Sequence, residues 1–76
     1  MQHIPLLRLA PGKSAVVDEL LVGGGMRRRL LDIGLVEDTP VECLGRSPFG
    51  DPSAFLIRGA VIALRAEDSE KILMRL

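Results

Sequence analysis

Short runs of alternating apolar and polar residues fill most of this chain, and only one segment keeps a helical period. Ala15 to Leu20 reads as a Val-rich strand with its charges, Asp18 and Glu19, at the far end. Thr39 to Arg46 returns to strand character. Val41 and Cys43 point one way there, and Glu42, Leu44 and Arg46 the other. Ser53 to Arg58 and Ala60 to Arg65 form two further strands hinged at Gly59, and Ile72-Leu73-Met74 supplies a closing strand. Ile4 to Leu9 is apolar and short, and Pro5 keeps it out of a central strand.

The helical segment runs from about Met26 to Ile33, after the break at Gly23-Gly24-Gly25. At 100° per residue Met26, Leu30 and Ile33 share a face, which Leu31 widens. Arg28, Arg29 and Asp32 lie opposite, and Asp32 is spaced to pair with either arginine. Gly34 suits the left-handed residue that ends a helix, and Leu35 just beyond it packs back on the last turn. Three other corners carry turn chemistry. Pro11-Gly12 fits a type II turn, Ser47 to Pro52 is a loop between strands, and Glu67-Asp68-Ser69-Glu70 reads as a single acidic helical turn.

This inventory predicts a mainly β domain spanning residues 1–76, with about five short strands and one short helix. An open sheet of that size exposes its edges, so closure is expected. A small SH3-like β-barrel with the helix across one opening satisfies this, and an OB-type barrel is the alternative. Seventy-six residues leave no room for a second domain. With aromatics at 3%, the core must come from Leu, Val, Ile, Ala and Met.

Ten basic residues balance ten acidic ones. A zero formal charge argues against a general nucleic-acid or acidic-membrane binder and leaves little repulsion to oppose weak self-association. The single cysteine, Cys43, excludes an internal disulfide and sits in an apolar strand, where a small buried hydrophobe fits. No basic-then-apolar leader and no run near 18 apolar residues is present, so a cytoplasmic protein without membrane insertion is expected.

Candidate chemistry is sparse. His3, at the terminus, is the only histidine, and no Cys or His stands near Cys43, so no metal site and no cofactor is expected. Ser14, Ser47, Ser53 and Ser69 lack a base, and no catalytic residue is expected. Glycines before the helix with Arg27 and Arg28 in its first turn invite an anion, but the Walker frame is missing and a flexible corner suffices. The triplet Arg27-Arg28-Arg29 lacks the interleaved aromatics of single-strand binders. It reads as a solvated face or protein contact, with the Arg27 stem along the core. Phe49, between Pro48 and Gly50, either anchors a protein partner or folds back to cap the barrel. Leu44 falls on a charged strand face, where an apolar residue has no obvious core role.

Taken in order, several of these segments resemble the FeoA family, the small accessory proteins of bacterial ferrous-iron transport. The resemblance is carried by Pro11-Gly12 with Ala15 and Val17, Arg29-Leu30 through Gly34-Leu35, Pro48-Phe49-Gly50-Asp51-Pro52, Ala63-Leu64-Arg65 and Ile72. Each is weak alone; their order and spacing are fairly specific. Where the family often places Pro-Gly after Gly34-Leu35, this chain reads Val36-Glu37-Asp38-Thr39, so Asp38 must take the glycine position of a turn.

The resemblance implies an SH3-like barrel that binds and modulates FeoB, the membrane transporter of ferrous iron, through its cytosolic part. The surfaces to test for that contact are Arg28, Arg29, Leu44 and Phe49. The alternative it leaves open is a nucleic-acid-associated or metalloregulator-like regulatory module, since the family is related to a domain appended to iron- and manganese-dependent repressors.

Overall fold

Six antiparallel strands and two short helices make up most of residues 3–76, which are those the computed structural model describes. The strands are β1 (His3–Pro5), β2 (Ser14–Leu20), β3 (Pro40–Arg46), β4 (Ser53–Ile57), β5 (Ala60–Leu64) and β6 (Ile72–Arg75). The helices are α1 (Gly24–Asp32) and the single turn α2 (Ala66–Ser69), and a 3-10 turn at Leu6–Arg8 follows β1. Strand order in the one sheet is β1-β6-β2-β3-β4-β5.

The sixth strand is β1. His3, Ile4 and Pro5 pair with Arg75, Met74 and Leu73, so His3 is held in a strand rather than trailing from the terminus. Pro5 is tolerated there because β1 is an edge strand, as its ring requires. The ladder stops at β1 on one side and β5 on the other. Side chains complete the enclosure, with Leu6 of the 3-10 turn and Leu64 of β5 buried in the same core. Arg46 also donates across the seam to the Leu7 carbonyl at 3.2 Å.

Helix α1 begins two residues earlier than its apolar period suggests, taking Gly24 and Gly25 into its first turn. It lays Leu30 into the core, with Met26 and Ile33 half-buried beside it. Leu31 does not join that stripe; it is 41% exposed. At the C-terminus Gly34 N–H donates to the Leu31 carbonyl at 3.0 Å and Leu35 N–H to the Leu30 carbonyl at 2.9 Å. These are the paired bonds of a Schellman cap, and buried Leu35 packs back as its motif requires.

Two turns follow their sequence. Lys13 N–H reaches the Ala10 carbonyl at 3.0 Å with Gly12 at φ 85°, which is the type II geometry that Pro11-Gly12 favours. Thr39 N–H reaches the Val36 carbonyl at 3.1 Å with Asp38 at φ 70°, so Asp38 does occupy the left-handed position. Buried Thr39 then fixes the α1–β3 connection. Its hydroxyl donates to the Gly34 carbonyl at 3.2 Å and accepts the Val36 N–H at 3.1 Å.

Two bulges alter side-chain parity. In β3 the register slips between Cys43 and Gly45, so Leu44 has no opposite residue on β4. Beyond the bulge Arg46 faces Ser53, a buried residue of the core row, and its guanidinium donates to the Ser53 hydroxyl at 3.2 Å. Strict alternation would put Arg46 in line with Glu42 and Leu44; the inserted residue sets it opposite Ser53 instead, with its side chain still exposed. In β2 the slip falls at Asp18, whose carboxylate meets His3 Nε2 at 3.4 Å and Arg75 Nε at 3.5 Å.

Candidate partner-docking surface

Phe49 rides on a loop held from both directions. Inside it, Gly50 N–H donates to the Ser47 carbonyl at 2.8 Å with Gly50 at φ 85°, and Ser47 N–H donates to the Pro52 carbonyl at 3.0 Å. Outside it, the Asp51 carboxylate accepts the Ala66 N–H at 2.9 Å. Ala66 opens α2, so Asp51 satisfies one of that helix's unpartnered donors across fifteen residues of chain, as a local N-cap would. The loop is therefore fixed while the Phe49 ring is 94% exposed. The capping alternative for Phe49 is excluded by that exposure.

Beside this loop lies a shallow hollow lined by Leu44, Arg46, Pro52, Ala54 and Ala63. Leu44 is 42% exposed because the bulge turns it off the ladder. The outer face of β4 and β5 continues the apolar surface through half-buried Leu56 and exposed Val61, which stand opposite each other. Sequence reading passed over Leu56 and Val61. Their signal was a pair of strands apolar on both faces, a pattern that normally means burial on both sides.

Arg28 and Arg29 are exposed on α1, as their helical phase requires. Arg28 lines a different hollow from Leu44. The hollow on α1 is lined by Gly24, Arg27, Arg28, Leu31 and Asp32, and it shares no residue with the one beside β4. Among the described residues neither arginine forms an ion pair with Asp32. Arg27 does not lie along the core; it is exposed and donates to the Leu20 carbonyl at 2.8 Å, tying α1 to the end of β2.

Other chemistry is accounted for structurally. Cys43 is fully buried. Arg75 pairs with the Asp18 and Asp38 carboxylates, and His3 Nε2 lies beside Asp18. Among the described residues no three His, Cys, Asp or Glu side chains converge on a point, and no helix is long and apolar enough to cross a membrane.

The chain belongs to the FeoA family: the profile of the FeoA domain matches residues 4–76. Its structure is similar to the FeoA protein from Chlorobium tepidum, with a TM-score of 0.88 at 31% identity over 96% of this chain and 70% of that one. It is also similar to the FeoA of Stenotrophomonas maltophilia, solved with zinc and described as a prokaryotic SH3 domain protein. That match has a TM-score of 0.76 at 26% identity over 92% of this chain and 87% of that one.

A manganese-dependent transcriptional repressor shares the fold, with a TM-score of 0.82 at 20% identity over 95% of this chain and 40% of that one. Curated proteins offer no match. The architecture is thus the SH3-like one expected, and the chain stands with accessory proteins of ferrous-iron transport.

Proposed function

We propose that this protein is a cytoplasmic accessory of ferrous-iron transport that docks on the cytosolic part of an FeoB-type membrane transporter. The observation that carries the reading is the exposed Phe49 ring on a loop braced by Asp51 and Ala66. A rigid apolar anchor costs little conformational entropy to bury. Seating that ring in a partner contributes about 1.5–3 kcal/mol. Leu44 extends the apolar contact across the neighbouring hollow. Arg28 and Arg29, on α1, act on orientation and association rate rather than on the anchor itself.

Family membership supports the transport role, and the Stenotrophomonas relative is itself described as a suggested ferrous-iron transport activating factor. The likeness to the repressor, at 20% identity, speaks for a shared fold alone. The test is binding of the purified chain to the transporter's cytosolic part, with and without guanine nucleotide. Saturable binding that Phe49→Ala weakens supports the reading; no binding in either nucleotide condition overturns it.

A further inference from the structure

Strand β5 is the unguarded edge of the sheet. It pairs with β4 alone, through Ala60 opposite Ile57, Ile62 opposite Phe55 and Leu64 opposite Ser53. The two-residue turn Arg58-Gly59, with φ of 48° and 80°, makes Ile57 and Ala60 a hydrogen-bonded pair. Alternation along an antiparallel ladder then directs the N–H and C=O of Ala60, Ile62 and Leu64 toward β4. Those of Val61 and Ala63 point outward. No backbone bond from elsewhere among the described residues reaches either of them.

Edges of this kind are normally blunted by a charge, a proline or brevity. The other edge, β1, has three residues and a proline. Strand β5 reads Ala-Val-Ile-Ala-Leu, with Val61 65% exposed and Ala60 and Ala63 also exposed. Its two ends carry charge of one sign, Arg58 before it and Arg65 after it. Both side chains are exposed, and neither forms an ion pair among the described residues; the Arg58 guanidinium donates through Nε to the Gly34 carbonyl at 2.8 Å. The ion pairs present join Arg75 to Asp18 and Asp38.

We propose that the β5 edge accepts an extended polypeptide segment with an apolar centre and acidic flanks, which adds to the sheet as a further strand. Backbone groups of Val61 and Ala63 supply the hydrogen bonds, as in other strand-addition complexes. Arg58 and Arg65 select the charge at the two ends. A second copy of this chain is the disfavoured occupant: antiparallel pairing of β5 with itself sets the Arg58 end of one copy against the Arg65 end of the other, twice over. This surface does not involve Phe49 and does not rest on the transporter reading.

The test is a titration of the isotope-labelled protein with an acetylated, amidated nonapeptide, Glu-Glu-Val-Thr-Val-Thr-Val-Glu-Glu. A second peptide carries lysines in place of the glutamates. The expected result is saturable binding of the acidic peptide, shifts centred on residues 60–64, slowed exchange of the Val61 and Ala63 amides, and at least tenfold weaker binding of the lysine peptide. Ala63→Pro deletes an outward N–H without touching the β4 ladder and should weaken binding at least tenfold.

Should that variant misfold, Arg65→Glu leaves every backbone group in place and should shift preference severalfold toward the lysine peptide. No saturable binding at millimolar peptide overturns the proposal. So do shifts centred on Leu44 and Phe49, indifference to peptide charge, or a dimer through β5 in sedimentation. Transporter binding by the same protein is scored separately, so either reading can fail without the other.

Discussion

The Asp51 carboxylate accepts the Ala66 backbone N–H at 2.9 Å, joining the loop that carries Phe49 to the first turn of α2. One side chain thus stands in for an N-cap that Arg65, at the cap position, does not provide. Loss of a cap acceptor costs about 1 kcal/mol. In a domain of this size that lowers Tm by about 4–8 °C. Asp51→Ala should show that drop in thermal circular dichroism, and Asp51→Asn, which keeps an acceptor oxygen, a smaller one. Equal Tm for wild type and Asp51→Ala would remove the brace from the account.

Gly34 is required twice. Its φ is 90°, and a Cβ at that position would stand 2.6 Å from Arg58 Cδ and Nε, while Arg58 Nε donates to the Gly34 carbonyl at 2.8 Å. Gly34→Ala should therefore cost about 2 kcal/mol or more, by strain and by displacement of Arg58. The double variant Gly34→Ala with Arg58→Ala should be less destabilised than the sum of its parts, because the clash disappears while the backbone strain remains. Strict additivity in denaturant unfolding would contradict the close approach.

Asp38 carries a left-handed backbone that glycine adopts without penalty. Both Asp38→Gly and Asp38→Ala delete the contact with Arg75, so their difference isolates the backbone term. Asp38→Gly should be the more stable of the two by about 1 kcal/mol, read from urea midpoints at constant m.

Much of this fold could be read from sequence wherever a local rule decides it. Gly34-Leu35 announces its own cap and Pro11-Gly12 its own turn, because each depends on neighbours within a few residues. The positive φ of Asp38 is legible only against the FeoA family, which often has Pro-Gly at that turn. The bulges at Leu44 and Asp18 could not be read that way. An inserted residue leaves no mark in an alternating pattern, and strict alternation therefore misplaces Arg46. The β1 pairing and the Asp51–Ala66 bond are long-range contacts with no local signature. At the candidate surface, loop chemistry marked Phe49 without deciding between exposure and capping. A widened helical stripe wrongly enlisted Leu31. Apolar runs on β4 and β5 concealed that Val61 faces solvent.

Phe49, nearly all exposed, contributes little to the core, so Phe49→Ala should change Tm by no more than about 2 °C, as expected for a surface substitution. A drop comparable to a core truncation would mean that the ring packs inside the domain.

The most direct measurement is the affinity of the transporter's cytosolic part for wild type, Phe49→Ala and Leu44→Glu, with Tm recorded for each protein. Phe49→Ala and Leu44→Glu should each weaken binding at least tenfold while Tm hardly moves. Burial of a large apolar side chain at about 1.5–3 kcal/mol corresponds to that loss. If both variants bind the transporter as wild type does, Phe49 and Leu44 are not the docking surface.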